Sequence, residues 1–377
     1  MRKLLSLCAL CATLMAFGNP PFMKLGTPDI KSMGVLEFSE DGILFIGDSK
    51  NATIYAVDLQ ESPGTVDKAL IIPNLETKLA ALLGTTDDDI LIHDLAVNPV
   101  SKNAYISVSR GRANWTSNWQ MPKELTDATI LVRVTPTGGI EEVSLEEVLF
   151  AQASIPNPVA ADKMHSWKKA PLRADAISDI AYKNGSLYVA GLSNEEFASS
   201  MWVLPYPFSG EAQASSLEIY HGAHGKYETH SPVRAFLPYD IQNKEQLLAA
   251  YLCTPLVTFE TANLKGGKHV KGRTIAEFGA GNFPIDMVAY QSNGNDYIVM
   301  SNSQLPLMVI DPKDIEAYDG QITEEVEGYL AGVKYTPRAG SGIYQLADFG
   351  EKYILATQRL AGGKLALVSL SKSRLRP

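Results

Sequence analysis

Short apolar stretches with the two-residue alternation of β-strands restart six times along this chain. Each stretch is followed by a turn and a second strand-like run, and a third such run often comes next. Repetition on this scale predicts an all-β fold of the β-propeller type, with little helix. The stretches begin near Gly34, His93, Ile177, Pro232, Ile285 and Ile343.

Six starts predict six blades, and one long interval leaves seven blades as the alternative. Most starts are separated by similar intervals, but the interval from His93 to Ile177 is clearly longer than the others. A blade with its loops needs roughly 40 to 50 residues. The long interval therefore holds either an insertion, at about residues 110–175, or a further blade. Within it, the run from Ser144 to Ala153 is predicted to be a short helix.

The last blade supplies three predicted strands, so its outer edge would be left unpaired. We expect the N-terminal segment from Phe22 to Gly26 to add the missing strand and close the ring. Residues 19–377 are predicted to form a single domain, because no stretch between the starts has the composition of a linker.

The segment from Met1 to Gly18 has the pattern of a signal peptide. Arg2 and Lys3 precede an apolar core, and Ala16 and Gly18 form a small-x-small cleavage site. The apolar run is too short for a membrane span, and no later segment is long and apolar enough for one. We therefore expect cleavage near Gly18 and a periplasmic or secreted protein without a membrane span.

Charge and cysteine content narrow the classes of partner and cofactor. The formal net charge of −9 would become −11 after loss of Arg2 and Lys3, which argues against a nucleic-acid partner. Beyond the signal segment the chain keeps only Cys253, so it forms no internal disulfide. It contains no C-x-x-C-H motif, which excludes covalently attached haem. An exported chain without disulfides favours a bacterial periplasm.

Polar residues recur at the start of the inner strands, which line the channel of a propeller. Alignment of these strands places five residues at the same height along the channel: Asp94, Asp179, Arg234, Asp286 and Tyr344. The three carboxylates are candidate catalytic or calcium-binding groups, and Arg234 and Tyr344 are candidate ligand-binding groups. The alternative is structural. Each aspartate would accept backbone N–H bonds at a turn, and Arg234 would pair with a neighbouring carboxylate.

The repeated unit, DIAYKNGSLYVAG from Asp179 to Gly191, resembles that of a broad propeller group with NHL-like, lactonase-like and gluconolactonase-like members. The resemblance covers nearly the whole chain after the signal segment, and its motifs are generic. It implies a calcium ion in the channel, with Asp94, Asp179 and Asp286 as ligands, polarising a lactone or ester.

A second candidate site is a histidine-rich loop before the fourth inner strand. His221, His224 and His230 stand three and six residues apart among glycines, so their imidazoles can converge on one metal ion. His93 can approach from the second inner strand, and Glu228 can serve as a further ligand or a base. Imidazole ligands suit zinc, copper or iron. The alternative is a surface loop with incidental histidines.

Two tryptophans, Trp115 and Trp119, lie in the long interval and are candidates for contacting a ligand or a partner protein. The sequence thus favours an exported binding scaffold that holds a small ligand, a metal ion such as calcium, zinc or copper, or a periplasmic protein at the channel mouth. One alternative is a metal-dependent lactone or ester hydrolase. Another is an accessory subunit of a periplasmic redox enzyme.

Overall fold

The computed structural model of this chain describes residues 22–110, 129–166, 171–264, 266–328 and 330–377. These residues form six antiparallel sheets arranged as a six-bladed β-propeller, so the predicted fold class is confirmed. Within the described ranges, no helix combines the length and apolar character needed to cross a membrane.

The strands are short and are mostly joined by tight turns. Those of the first half are β1 (Lys24–Gly26), β2 (Leu36–Phe38), β3 (Ile43–Asp48), β4 (Thr53–Asp58), β5 (Ile71–Ile72), β6 (Ile90–Val97), β7 (Ala104–Arg110), β8 (Thr129–Val134), β9 (Ile140–Val143), β10 (Val148–Ser154), β11 (Asp179–Lys183), β12 (Ser186–Leu192), β13 (Ser199–Pro205) and β14 (Gln213–His221).

The second half continues in the same way, and a short α-helix in each half interrupts the strands. The strands are β15 (Lys226–Glu228), β16 (Ala235–Ile241), β17 (Lys244–Ala250), β18 (Pro255–Glu260), β19 (Lys268–Lys271), β20 (Arg273–Glu277), β21 (Pro284–Ser292), β22 (Asn295–Asn302), β23 (Leu307–Ile310), β24 (Ala331–Gly332), β25 (Thr336–Arg338), β26 (Ile343–Phe349), β27 (Tyr353–Arg359) and β28 (Leu365–Ser371). The helices are α1 (Leu75–Leu83) and α2 (Pro312–Ala317).

Each blade is numbered by the order in which its inner strand occurs in the chain. From the channel outward, blade 1 is β2-β3-β4-β10-β1, and blade 2 is β6-β7-β8-β9. Blade 3 is β11-β12-β13-β14-β15, with β19 also paired to β14. Blade 4 is β16-β17-β18-β20-β24, blade 5 is β21-β22-β23-β25, and blade 6 is β26-β27-β28-β5.

The order of the blades around the ring differs from their order in the chain. The inner strands are neighbours in the cycle β2, β6, β26, β21, β16, β11 and back to β2. Blade 1 therefore lies between blades 2 and 3. The chain builds blade 2 on one side of blade 1. It then returns to blade 1 through β10, which pairs with β4, and builds blade 3 on the other side.

The core is divided among the six blade interfaces, each of which contains one apolar cluster. Phe45 of blade 1 packs with Val189 and Trp202 of blade 3, and Ile106 of blade 2 packs in one cluster with Leu355 of blade 6. The middle strands are therefore packed on both faces, which explains why β3 and β7 read as nearly continuous buried runs. The same burial explains why the strand pattern was visible in the sequence.

Two expectations about the connections are corrected by the pairing of the strands. The strand that completes blade 6 is Ile71–Ile72, which pairs with β28, whereas the N-terminal segment pairs with β10 of blade 1. The run from Ser144 to Ala153 is largely strand β10, because hydrogen bonds to β4 and β1 on its two sides hold it extended. Part of the stretch at 110–175 thus supplies strands of blades 1 and 2.

Ile72→Val is expected to destabilise the fold by about 1 kcal/mol, because Ile72 is buried in the interface of blades 2 and 6 and the substitution removes one methylene group. Ile71→Val, one residue earlier, is the matched control, since Ile71 is 68% exposed and should change the stability by less than about 0.5 kcal/mol. Urea unfolding of both variants measures the difference. Equal midpoints would contradict the closure of blade 6 by β5.

Candidate functional site

Three aspartates of the channel connect neighbouring blades. Asp94 accepts the backbone N–H of Leu36 at 2.7 Å, so that its carboxylate joins blade 2 to blade 1. Asp179 accepts the N–H of Phe236 at 2.9 Å, and Asp286 accepts that of Leu346 at 2.6 Å, which joins blades 3 to 4 and 5 to 6. The second oxygen of each aspartate accepts the N–H of the residue that follows it.

A serine repeats this connection at each of the three junctions. Ser107 donates to the carbonyl of Gly34 at 2.6 Å, Ser178 donates to that of Val233 at 2.6 Å, and Ser301 donates to that of Tyr344 at 2.5 Å. The aspartate–serine pairs thus divide the ring into three pairs of blades. Both oxygens of each aspartate are occupied by backbone N–H groups, which matches the structural alternative considered from the sequence.

The channel has a volume of about 490 Å³ and concentrates buried acid. Burial raises the pKa values of Asp94, Asp179 and Asp286 above their usual range, and mutual repulsion raises those of Asp94 and Asp179 further. Glu37, which the sequence analysis did not single out, accepts the N–H of Tyr182 at 3.4 Å, and burial raises its pKa to about 8.

Arg234 is paired at the channel mouth. Its Nη1 donates to Asp175 Oδ1 at 2.8 Å, and His165 Nε2 lies 3.2 Å from the other oxygen of the same carboxylate. Burial alone would raise the pKa of Asp175, but the charge of Arg234 and the bond to His165 hold it well below its usual value. The ion pair that the sequence suggested as an alternative role for Arg234 is therefore present, with Asp175 as the partner.

Tyr344 and His93 make local contacts in or beside the channel. The hydroxyl of Tyr344 accepts a hydrogen bond from Arg359 Nε at 3.3 Å, and the neighbouring Gln345 lines the channel. His93 Nε2 lies 2.5 Å from Ser109 Oγ, and burial lowers its pKa to about 4. Trp115 and Trp119 lie outside the described residues.

The histidine-rich loop brings two of its three imidazoles together. β14 ends at His221, a single helical turn covers Gly222–His224, and β15 then runs back along β14. Gly225 allows this reversal with a φ of 60°, in the region that favours glycine. The rings of His221 and His224 have centroids 3.8 Å apart. His230 is exposed and its Nδ1 lies 2.8 Å from Thr229 Oγ1.

Cys253 completes this pair of imidazoles from blade 4. One nitrogen of His221, one of His224 and the Sγ of Cys253 all lie within 4.8 Å of one another. In the part of the chain that the structure describes, this is the one cluster of three or more histidine, cysteine or acidic residues with that spacing. The channel aspartates do not form such a cluster, and neither His93 nor His230 belongs to it.

Glu228 orients both imidazoles of the cluster. Its Oε2 lies 2.9 Å from Nδ1 of His221, and its Oε1 lies 2.7 Å from Nδ1 of His224. Because both Nδ1 atoms face this carboxylate, the two Nε2 atoms remain for other partners. His221 is almost fully buried, and its Nε2 has no hydrogen-bond partner among the described residues.

The cluster is strongly polarised. Burial alone would lower the pKa of His221, but interactions with Cys253 and Glu228 outweigh burial and raise it to about 9. The interaction with His221 also lowers the pKa of Cys253. For Glu228, the bonds to His221 and His224 outweigh burial and lower the pKa to about 2. These interactions therefore favour the charged forms of His221, Glu228 and Cys253.

The sequence analysis missed Cys253 and Glu277, which belong to the turns and strand ends of blade 4. β14 runs toward the end of the disc where the inner strands begin, and the β17–β18 turn with Cys253 lies at the same end because β17 is antiparallel to β16. The alternation of strand direction is the signal that could have placed Cys253 beside the loop of residues 221–234.

Comparisons with known proteins assign no family to this chain. No family model and no curated protein matches this chain. Among solved structures, streptogramin B lyase is 10% identical, with a TM-score of 0.35 over 92% of this chain and 97% of the other. An oxidoreductase from Thermus thermophilus described as a glucose dehydrogenase is 11% identical, with a TM-score of 0.37 over 92% and 99%. Kuenenia stuttgartiensis hydrazine synthase is 13% identical, with a TM-score of 0.32 over 88% and 75%. These similarities carry no argument about activity.

Proposed function

We propose that this chain is an exported β-propeller scaffold that binds one transition-metal ion, zinc or copper, through His221, His224 and Cys253. The export rests on the signal-like segment from Met1 to Gly18, and the metal site rests on the loop between blades 3 and 4. The single observation that carries the proposal is the buried Nε2 of His221, which makes no hydrogen bond among the described residues and belongs to a cluster of three groups that could hold a metal ion.

The types of donor atom favour a borderline or soft metal ion. Imidazole nitrogen and thiolate sulfur bind zinc and copper, whereas calcium requires oxygen ligands. The oxygen-rich alternative in the channel is less favourable for calcium, because the oxygens of Asp94, Asp179 and Asp286 already accept backbone N–H bonds. Of the two metal sites considered from the sequence, the histidine loop at the junction of blades 3 and 4 is therefore favoured over the channel aspartates.

Glu228 supports the same conclusion. Histidine ligands of metals usually donate their other ring N–H to a carboxylate, which fixes the tautomer and makes the coordinating nitrogen more basic. Glu228 receives both His221 and His224 in this way and is itself held in a strand. A buried imidazole nitrogen without a partner has a cost in free energy, and a bound ion would remove that cost.

Zinc binding is expected to be stoichiometric and to depend on the cluster. In isothermal titration of chelator-treated protein with Zn²⁺, His224→Ala and Cys253→Ser should weaken binding by at least about 100-fold, since each removes a ligand. Glu228→Gln should weaken it by roughly 10- to 100-fold, because it removes the orienting charge.

His230→Ala is the matched control, since His230 lies on the same loop and outside the cluster. It should bind zinc as the wild type does. The proposal is wrong if the wild type takes up neither zinc nor copper, or if His230→Ala weakens binding as much as His224→Ala. Alkylation of Cys253 by iodoacetamide that is fast and unaffected by zinc would instead indicate a thiolate–imidazolium nucleophile.

A further inference from the structure

Glu277 is a second buried group without a full set of partners at this site. It is the last residue of β20 and is 1% exposed. Its Oε1 accepts the N–H of Gly222 at 2.6 Å, so the carboxylate is fixed against the loop that carries both imidazoles. Its Oε2 is buried and has no hydrogen-bond partner among the described residues.

The contact between Glu277 and the loop is close. A Cβ atom added to Gly222 would lie 3.0 Å from Glu277 Oε1, so glycine is required where the carboxylate approaches the chain between His221 and His224. Two unpartnered buried atoms, Nε2 of His221 and Oε2 of Glu277, thus occur on groups held by the same turn. One is an imidazole nitrogen of the proposed metal site, and the other is a carboxylate oxygen.

The number of ligands leaves room for water. Zinc is usually four-coordinate, and a site with three protein ligands keeps its fourth position for water or substrate. Glu277 does not belong to the cluster of atoms within 4.8 Å, so it is not placed as the fourth ligand. The side chain of His224 is 41% exposed, which leaves the site reachable from solvent.

Glu228 is unsuited to the role of base at this site. Both of its oxygens are engaged by the Nδ1 atoms of His221 and His224, so the Glu228 carboxylate orients the two rings. Glu277 has one oxygen engaged by the backbone and one oxygen available. Glu277 rather than Glu228 therefore has a carboxylate oxygen that is not engaged by the described residues.

We propose that Glu277 accepts a proton from a water molecule bound at the open fourth position of the metal ion, which makes the site hydrolytic. This inference rests on the metal site proposed above. The metal ion lowers the pKa of the water, and Glu277 Oε2 takes its proton. The resulting hydroxide attacks the carbonyl carbon of an ester. The ester C–O bond breaks, and the proton passes from Glu277 to the departing alkoxide.

Cobalt(II) tests the open position independently of activity. Chelator-treated protein loaded with Co²⁺ should show visible absorption bands that shift when azide is added, because azide replaces the water. Unchanged bands in the cobalt-loaded protein would mean a closed site and would overturn this inference while leaving the metal site intact. A protein that takes up neither cobalt nor zinc would instead overturn the proposed function itself.

Glu277→Gln tests the base. Glutamine keeps a carbonyl oxygen for the N–H of Gly222, so the loop should stay in place and the metal affinity should change little. Hydrolysis of p-nitrophenyl acetate by the zinc-loaded protein, above the rate of the metal-free protein, should fall by about 10²- to 10⁴-fold. Azide should still shift the cobalt bands of the variant.

Glu325→Gln is the matched control, because Glu325 is an exposed carboxylate beside Gly225 of the same loop. It should hydrolyse the ester at the wild-type rate. If Glu277→Gln also keeps the wild-type rate, or if zinc adds nothing to the rate of the metal-free protein, Glu277 only positions the loop and the inference is wrong.

Discussion

Asp179→Ala is expected to lower the free energy of unfolding by about 2 to 5 kcal/mol, because it leaves two buried backbone N–H groups without an acceptor. Those groups belong to Ile180 in the same strand and to Phe236 in the next blade. The loss should appear as a lower urea midpoint. The measurement is best made near pH 6, where the raised pKa values of Asp94 (about 8) and Asp286 (about 7) limit the charge repulsion that the substitution would relieve.

Asp240→Ala provides the comparison for this variant. Asp240 is also an aspartate of an inner strand, but its side chain is 62% exposed and pairs with Lys183. Surface ion pairs of this kind contribute about 0 to 1 kcal/mol. If the urea midpoint of Asp179→Ala lies as close to the wild-type midpoint as that of Asp240→Ala does, the carboxylate of Asp179 does not hold blades 3 and 4 together.

The propeller could be predicted from the sequence because its signal is local. Each blade buries its middle strands between two neighbours, so apolar runs and turns recur whatever the order of the blades. The closing strands could not be predicted in the same way. The pairing of Ile71–Ile72 with β28 joins the two ends of the chain, and so short a strand has no periodicity of its own.

The channel was predicted more completely than the cluster of His221, His224 and Cys253. Asp94, Asp179 and Asp286 hold equivalent positions in their strands, so alignment of the repeats was enough to place them together. The cluster combines a loop after the fourth strand of blade 3 with a turn in blade 4. Cys253 therefore joins His221 only through the packing of two blades, and repeat alignment carries no information on such a contact.

Stability is expected to fall as the pH rises from 5.5 to 8.5. The pKa of Glu37 is raised to about 8, and those of the channel aspartates are raised as well. The folded state then holds more protons than the unfolded state between pH 5 and 8. The stability that these protons contribute is fully present below about pH 4, the carboxyl pKa of the unfolded state. It is lost as the pH rises through the pKa values of the folded state.

The slope of the free energy of unfolding against pH should approach about 1.4 kcal/mol per pH unit for each such group. His93 has the opposite effect, because its pKa is lowered to about 4 in the folded state. Its contribution raises the stability as the pH rises, but this gain is complete near pH 6.5. Urea midpoints at pH 5.5, 7.0 and 8.5 measure the trend.

Glu37→Gln isolates the channel from other titrating groups. The amide oxygen can still accept the N–H of Tyr182, while the ionisable group is removed and its repulsion of the neighbouring aspartates disappears. The urea midpoint of this variant should therefore depend less on pH than that of the wild type, and the two should differ most at pH 8.5. A wild-type midpoint that stays constant or rises across this range would show that the channel carboxylates ionise without cost, as they would if a cation accompanied them.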